Sequence, residues 1–122
     1  MPKPRVYQYP NCSTCKKALK WLSARGVEID SRDIVKTPPS LTELKQALKL
    51  SGLPLKRLFN TSGASYRDGG FGERLPTMSE KDALSALAAD GKLVKRPLIL
   101  LSDTALVGFD EATYAATFPK SR

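Results

Sequence analysis

The chain contains no histidine, and this single absence excludes several kinds of chemistry. Serine–histidine and cysteine–histidine catalysis, imidazole ligands for metals and pH sensing by imidazole are all ruled out. No apolar run approaches the roughly 20 residues that a membrane-spanning helix needs. Polar residues, and not an apolar segment, follow the basic residues 1–5, so we recognise no signal peptide and expect a cytoplasmic location.

The length and composition are those of one ordinary globular domain. Apolar residues make up 41% of the 122 residues and charged residues 26%, which is typical of globular proteins. A chain of this length suits one domain and is short for two. We therefore interpret residues 1–122 as a single domain.

Positive charge is concentrated in the first half of the chain. Residues 1–61 contain 12 Lys and Arg against 4 Asp and Glu, whereas residues 62–122 contain 8 of each kind. A basic half could meet nucleic acid, an acidic protein surface or an anionic substrate, or it could be a plain solvated surface. Because the basic residues are not interleaved with aromatic ones and form no long block, we expect no direct DNA binding.

Hydrophobic periodicity predicts a strand–helix–strand unit at the start of the chain. Residues 5–9 and residues 27–34 alternate as strands do, and between them apolar residues recur at helical spacing. Ser13 or Thr14 is expected to cap the helix and Gly26 to end it. A connection of this length suits a right-handed crossover between parallel strands.

The middle of the chain is predicted to be helical. Ser40 with Glu43 forms a capping box that opens one helix, and Thr77 with Glu80 forms a second that opens another. The segment between them from Asn60 to Gly72 contains four glycines and is interpreted as a loop.

The end of the chain predicts a hairpin and a short helix. Residues 92–101 form an apolar run that suits a buried strand, and residues 105–109 suit its partner. Asp110 can cap the last helix, whose inward residues are predicted to be Ala112, Ala115 and Phe118. The fold class is therefore α/β.

These elements together predict one mixed four-stranded sheet with helices against it. The order is βαβ, then a helical insertion over about residues 36–91, then ββα. The sheet and its own helices would occupy about residues 4–35 and 92–119.

Cys12 and Cys15 are the main chemical signal, because they stand where the first strand gives way to the first helix. A helix N-terminus favours an anion, so a cysteine there loses its proton more easily and becomes the reactive thiolate. Cys12, outside the first turn, is the expected attacking thiolate, and Cys15 the partner that closes a disulfide. Candidate contacts for a substrate or partner around them are Asn11, Ser13, Thr14 and Lys16.

Other interpretations of the two cysteines stay open. A zinc site normally needs four nitrogen or sulfur ligands, so two thiols would have to share the metal with a second chain. Two inert core cysteines would also fit the sequence. A permanent structural disulfide would close too short a loop to stabilise much, and a reducing cytosol would keep it open.

Two further segments are candidates. Arg96 precedes Pro97 at the start of a buried strand, a place where proline is tolerated and where an X-Pro bond can be cis. It could also be a basic surface residue before an ordinary trans proline. Ser62 and Arg67 belong to a polar, glycine-rich stretch that could bind an anion or a partner, or could be a plain surface turn.

Three segments of the chain resemble the arsenate reductase (ArsC) family and its Spx and MgsR relatives: Tyr9–Ala18, Lys95–Ile99 and Leu106–Glu111. They occur in the family's order and at about its distances, so the resemblance covers essentially the whole chain. It implies a thioredoxin-like fold with a helical insertion. In such folds a cis-proline at the position of Pro97 faces the active cysteine, which would bring Arg96 beside Cys12, where its guanidinium can lower the thiol pKa or bind an oxyanion.

The resemblance implies two types of function. Glutaredoxin-linked arsenate reductases use one cysteine, at the position of Cys12, and three arginines that hold arsenate. Spx-type members use a Cys-x-x-Cys switch and bind the C-terminal domain of the RNA polymerase α subunit. Arg96 fits one of the three arginines, but Ser62 or Arg67 falls where the central one is expected, and Gly108 stands near the place of the last.

We therefore interpret the chain as a thiol–disulfide redox protein acting on a protein or glutathione thiol or disulfide. A redox-sensing regulator that binds the polymerase α subunit is the alternative, and arsenate reduction is a weaker one. We expect a monomer without a bound cofactor or metal. The electron donor would be glutathione with glutaredoxin, or thioredoxin.

Overall fold

Four strands form one mixed sheet in the order β2-β1-β3-β4 in the structure, a computed structural model that describes residues 3–119. The strands are β1 (Arg5–Gln8), β2 (Asp30–Asp33), β3 (Leu98–Leu100) and β4 (Ala105–Val107). β1 runs parallel to β2 and antiparallel to β3, and β3 runs antiparallel to β4. The predicted α/β class and the four-stranded mixed sheet are confirmed.

Six α-helices accompany the sheet within residues 3–119. They are α1 (Ser13–Ala24), α2 (Leu41–Ser51), α3 (Ala64–Asp68), α4 (Phe71–Arg74), α5 (Glu80–Ala89) and α6 (Glu111–Thr117). Short 3₁₀ turns lie at Leu55–Leu58, Leu75–Thr77 and Gly91–Leu93. Among the residues that the structure describes, no helix is both long and apolar enough to cross a membrane.

Two predicted strands are shorter than their apolar patterns. The predicted strand over residues 27–34 pairs with β1 through only four residues, and Val27 and Ile29 before it pack into the core beside α1. Much of the apolar run over residues 92–101 is not in the sheet either. It begins with a 3₁₀ turn, and Val94 then makes an isolated antiparallel bridge to Phe59.

Helix α2 begins as predicted. The hydroxyl oxygen of Ser40 accepts from the amide of Glu43 at 3.1 Å, and the Glu43 carboxylate accepts from the amide of Ser40 at 3.0 Å. The second predicted capping box is wrong. Thr77 ends a 3₁₀ turn, and the hydroxyl oxygen of Ser79 caps α5 by accepting from the amide of Asp82 at 3.1 Å.

The glycine-rich stretch over residues 60–72 is not a plain loop, because it contains α3 and α4. Two buried aromatic residues, Tyr66 and Phe71, anchor these short helices. Together with Phe59 they form a cluster whose ring centroids lie 5.7 to 6.2 Å apart. Packing of these aromatic side chains therefore overrides the local signal from the glycines.

The sheet has a core on each face, and alternate residues of β1 point to opposite cores. Tyr7 packs with α2 and α5, whereas Val6 packs with α1 and α6. Tyr114 in α6 and Phe118 directly after the helix are buried, while Ala112 is exposed, so the predicted inward orientation of Ala112 is wrong.

Candidate active site

The sulfur of Cys12 is the N-cap of α1. It accepts a hydrogen bond from the amide of Cys15 at 3.4 Å, and the extended backbone of Cys12 precedes the first helical residue. The prediction that Ser13 or Thr14 caps the helix is wrong, because both lie inside its first turn. Orphan amide groups and the helix dipole at this end favour an anion, so the half-buried Cys12 sulfur lies where a thiolate is stabilised.

Cys15 lies one turn further on and is fully buried. Its sulfur accepts a hydrogen bond from the amide of Tyr9 at 3.5 Å. Both thiols are free in the structure. The accessible sulfur is thus Cys12, and the sheltered one is Cys15.

Tyr9 connects the strand to the cysteine turn. Its carbonyl oxygen accepts from the amide of Cys12 at 3.0 Å, and the Cys12 carbonyl accepts from the amide of Lys16 at the same distance. These two hydrogen bonds stabilise the turn between β1 and α1 in which Cys12 lies. Sequence reasoning did not single out Tyr9, although an aromatic residue directly before Pro10 at the end of the strand was visible.

Arg96 reaches this site from the other end of the chain. The Arg96–Pro97 peptide bond is cis, and Pro97 is buried. The guanidinium carbon of Arg96 lies 5.0 Å from the centroid of the Tyr9 ring. Its buried Nη1 has no hydrogen-bond partner among the described residues.

The environment lowers the pKa of Cys12 below that of an ordinary thiol. Partial burial alone would raise the pKa. The amide and the thiol of Cys15, together with the guanidinium of Arg96, outweigh that effect because each favours the negatively charged sulfur. The structure therefore brings Cys12, Cys15 and Arg96 together as one electrostatic unit.

The pKa of Cys15 is shifted in the opposite direction. Burial is the largest cause of the increase, and the neighbouring Cys12 sulfur adds to it. The amide of Tyr9 and the charge of Arg96 lower the pKa of Cys15, but they do not offset this increase. As the pH rises, the first thiolate of the pair therefore forms at Cys12, while Cys15 keeps its proton to higher pH.

Polar side chains next to Cys12 in the sequence are at least partly exposed. Asn11, Ser13 and Lys16 are exposed, and Thr14 is half-buried. Along α1 no acidic residue occurs in the first turn, in contrast to α2 and α5. The charge of the exposed Lys16 is therefore not offset by an acidic residue in this turn.

The other two predicted site residues lie elsewhere. Ser62 and Arg67 line a cavity of about 530 Å³ on the helical insertion, together with Tyr66, and none of the residues lining it is a cysteine. Arg67 is exposed and lies 3.5 Å from the carboxylate of Asp68. Within residues 3–119, no group of three His, Cys, Asp or Glu side chains is placed to hold a metal ion.

Comparisons with known proteins agree with the fold. The ArsC family model matches residues 7–117. The uncharacterized protein YusI of Bacillus subtilis is 50% identical over 105 residues, which cover 86% of this chain and 89% of that protein. A crystal structure of an ArsC family related protein from Bacteroides fragilis is 45% identical, has a TM-score of 0.91, and is matched over 94% of this chain and 97% of its own.

More distant relatives carry two kinds of name. An arsenate reductase of Neisseria meningitidis is 30% identical over 109 residues, covering 88% of this chain and 92% of that enzyme. The regulatory protein MgsR of Bacillus subtilis is 25% identical, and the global transcriptional regulator Spx of Lactococcus lactis is 27% identical. The fold is thioredoxin-like, as the resemblance implied. Since the family model spans most of the sequence and YusI is alike over most of both chains, the chain belongs to the ArsC family.

Proposed function

We propose that the protein is a thiol–disulfide oxidoreductase in which Cys12 attacks and Cys15 resolves. The observation that carries this proposal is the position of the Cys12 sulfur, which caps α1, accepts from the amide of Cys15 at 3.4 Å and is influenced by the charge of Arg96. A lowered pKa makes Cys12 a thiolate at lower pH than an ordinary thiol, and the thiolate is the nucleophile in disulfide exchange.

In the first step the Cys12 thiolate attacks one sulfur of a substrate disulfide. A mixed disulfide between Cys12 and that sulfur forms, the substrate S–S bond breaks, and the other substrate sulfur leaves as a thiolate that takes a proton from solvent. Arg96 stabilises the anionic sulfur before the attack.

In the second step Cys15 loses its proton to solvent and attacks the Cys12 sulfur. The Cys12–Cys15 disulfide forms, the remaining substrate sulfur leaves as a thiolate, and the substrate has gained two electrons from the cysteine pair. In the mixed disulfide Cys12 carries no charge, so one cause that raises the pKa of Cys15 is removed at the moment when Cys15 must ionise. Glutathione with glutaredoxin, or thioredoxin, would return the two electrons.

The exposed lysines of α1 support an anionic partner. Lys16, Lys17 and Lys20 are all exposed on α1, and none of them has an ion-pair partner among residues 3–119. Lysines near a helix N-terminus oppose the helix dipole, and a local feature that works against stability is typical of functional sites. We propose an acidic protein or glutathione as the natural thiol partner.

A redox-sensing regulator is the second candidate. It is supported by the Cys-x-x-Cys site and by the relatives named Spx and MgsR. In this role the Cys12–Cys15 disulfide would alter binding to the C-terminal domain of the RNA polymerase α subunit. A pull-down with that purified domain, comparing the oxidised and reduced protein, tests this candidate, and absence of binding in both states would contradict it.

Efficient arsenate reduction has less support. Among residues 3–119, Arg96 is the one arginine whose charge acts on the pKa of both cysteines, and Gly108 occupies the region of another with φ at 77°, a backbone conformation that an arginine adopts poorly. Each missing charge-assisted contact to an oxyanion would weaken binding by about 1.5–3 kcal/mol.

The decisive experiment is alkylation of Cys12 as a function of pH. In a Cys15→Ser variant the rate with iodoacetamide reports the thiolate fraction of Cys12 alone. We expect a midpoint below the value of about 8.5 that an ordinary thiol shows. The matched Cys12→Ser variant should react far more slowly. A midpoint at or above 8.5 for Cys12 would overturn the proposed enzymatic role.

A further inference from the structure

Tyr9 touches all three members of the site. Its carbonyl oxygen accepts from the amide of Cys12 at 3.0 Å, and its amide donates to the sulfur of Cys15 at 3.5 Å. Its ring lies 5.0 Å from the guanidinium carbon of Arg96. The two backbone contacts survive any substitution of the side chain, so the ring is the part whose role can be tested.

The ring also lies against the Arg96 guanidinium. A separation of 5.0 Å is within the range of about 6 Å over which a cation and an aromatic face attract each other. Among residues 3–119 no carboxylate lies within ion-pair distance of Arg96, and its buried Nη1 has no hydrogen-bond partner. The guanidinium is therefore positioned without an acidic partner.

That arrangement has an electrostatic consequence. A carboxylate could hold Arg96 equally well, but its negative charge would cancel most of the effect of the guanidinium on a nearby sulfur. An aromatic face carries no net charge, so it fixes the cation and leaves the full positive charge directed at Cys12.

We propose that Tyr9 is a positioning residue, whose ring holds the Arg96 guanidinium beside the Cys12 sulfur without neutralising it. This inference rests on the proposed reactivity of Cys12. The phenolic hydroxyl has no part in it, because the attraction comes from the face of the ring.

Two substitutions separate the ring from the rest of Tyr9. Tyr9→Phe keeps an aromatic face, whereas Tyr9→Leu keeps only an apolar side chain against the core. Both are made in a Cys15→Ser background, and the alkylation rate of Cys12 with iodoacetamide is measured from pH 5 to pH 10. The thermal unfolding midpoint of each variant shows whether a change is merely structural.

Tyr9→Phe should react like the parent at every pH. Tyr9→Leu should move the midpoint to higher pH, so that Cys12 reacts about two- to fivefold more slowly below the midpoint, the change that corresponds to losing one cation–π contact. In an Arg96→Met background, Tyr9→Leu should have no further effect, because the two residues act through the same contact.

The outcomes distinguish this inference from the proposed function. If Cys12 of the parent protein titrates like an ordinary thiol, the proposed function itself is overturned. If the parent Cys12 is acidic but Tyr9→Leu leaves the midpoint unchanged, only the role of Tyr9 is overturned. An equal shift from Tyr9→Leu in the presence and absence of Arg96 would likewise overturn it.

Discussion

The amide of Cys15 points at the sulfur of Cys12 across 3.4 Å, so the residue proposed to resolve the intermediate already contacts the residue proposed to form it. Such proximity favours intramolecular attack over reaction with a second molecule from solution.

Removing the resolving thiol should trap the intermediate. With glutathione disulfide, a Cys15→Ser variant is expected to accumulate a stable mixed disulfide between glutathione and Cys12. The wild-type protein should instead end with an internal disulfide and no attached glutathione. Intact-protein mass spectrometry separates the two products, and Cys12→Ser serves as the control that should acquire no adduct.

The lysines of α1 should govern reaction with anionic substrates. Replacing Lys16 and Lys17 by Gln should slow reduction of glutathione disulfide by about two- to threefold at low salt and weaken the dependence of the rate on ionic strength. An uncharged disulfide should show little of either effect. The same change at Lys45 and Lys49, which are exposed on α2, is the control. Equal effects from both pairs would contradict a docking role for α1.

Glu43 should tie α2 to the sheet. Its carboxylate accepts from Arg5 Nη1 at 2.7 Å, from the Tyr7 hydroxyl at 2.8 Å and from the amide of Ser40. Glu43→Gln should lower the free energy of unfolding by about 1–3 kcal/mol at pH 7, measured by urea denaturation. The exposed Glu80→Gln should change it little.

The contribution of the Glu43 carboxylate to the free energy of unfolding should depend on pH. Burial would raise the pKa of Glu43, but hydrogen bonds from Ser40, Arg5 and Tyr7 lower it below the ordinary value. Because the folded pKa is below the unfolded value of about 4.3, the stabilisation is present above that pH and is lost as pH falls through the folded pKa. The difference between wild type and Glu43→Gln should shrink below pH 4, and a constant difference would refute this.

Gly91 should tolerate no side chain. A Cβ there would lie 1.8 Å from the carbonyl oxygen of Ile34 and 3.3 Å from the Cα of Val35, so backbone would have to move. Gly91→Ala should destabilise the protein by about 1–3 kcal/mol. In Gly72→Ala the new methyl lies 4.0 Å from Tyr66, so we expect a change near zero or a slight gain, and equal losses at the two sites would contradict this account.

Short-range patterns in the sequence predict much of the fold. Strand alternation and helical spacing locate β1, α1 and the hairpin of β3 and β4, and the Ser40 capping box locates the start of α2. The helices α3 and α4 are absent from such patterns, because burial of Tyr66 and Phe71 against Phe59 decides them. That contact depends on where the rest of the chain places Phe59.

The candidate site likewise has one part that local sequence patterns predict and one part that they do not. The spacing of Cys12 and Cys15 at the start of α1 is local, and the sequence locates it. The contact between Tyr9 and Arg96 joins residues from opposite ends of the chain, so no local pattern reveals it. The identity of the cap was missed because hydroxyl residues usually fill that position, whereas here a sulfur does.

A helix cap ordinarily keeps its chemical form, but the cap of α1 is the Cys12 sulfur, which the proposed reaction converts to a disulfide. Once the Cys12 sulfur bonds to another sulfur, it becomes a poor acceptor, and the first turn loses an anchor of a kind commonly worth about 0.5–2 kcal/mol. The first turn of α1 should therefore become less stable each time Cys12 forms a disulfide and regain its stability when that disulfide is reduced. The order of this turn should thus report the oxidation state of Cys12.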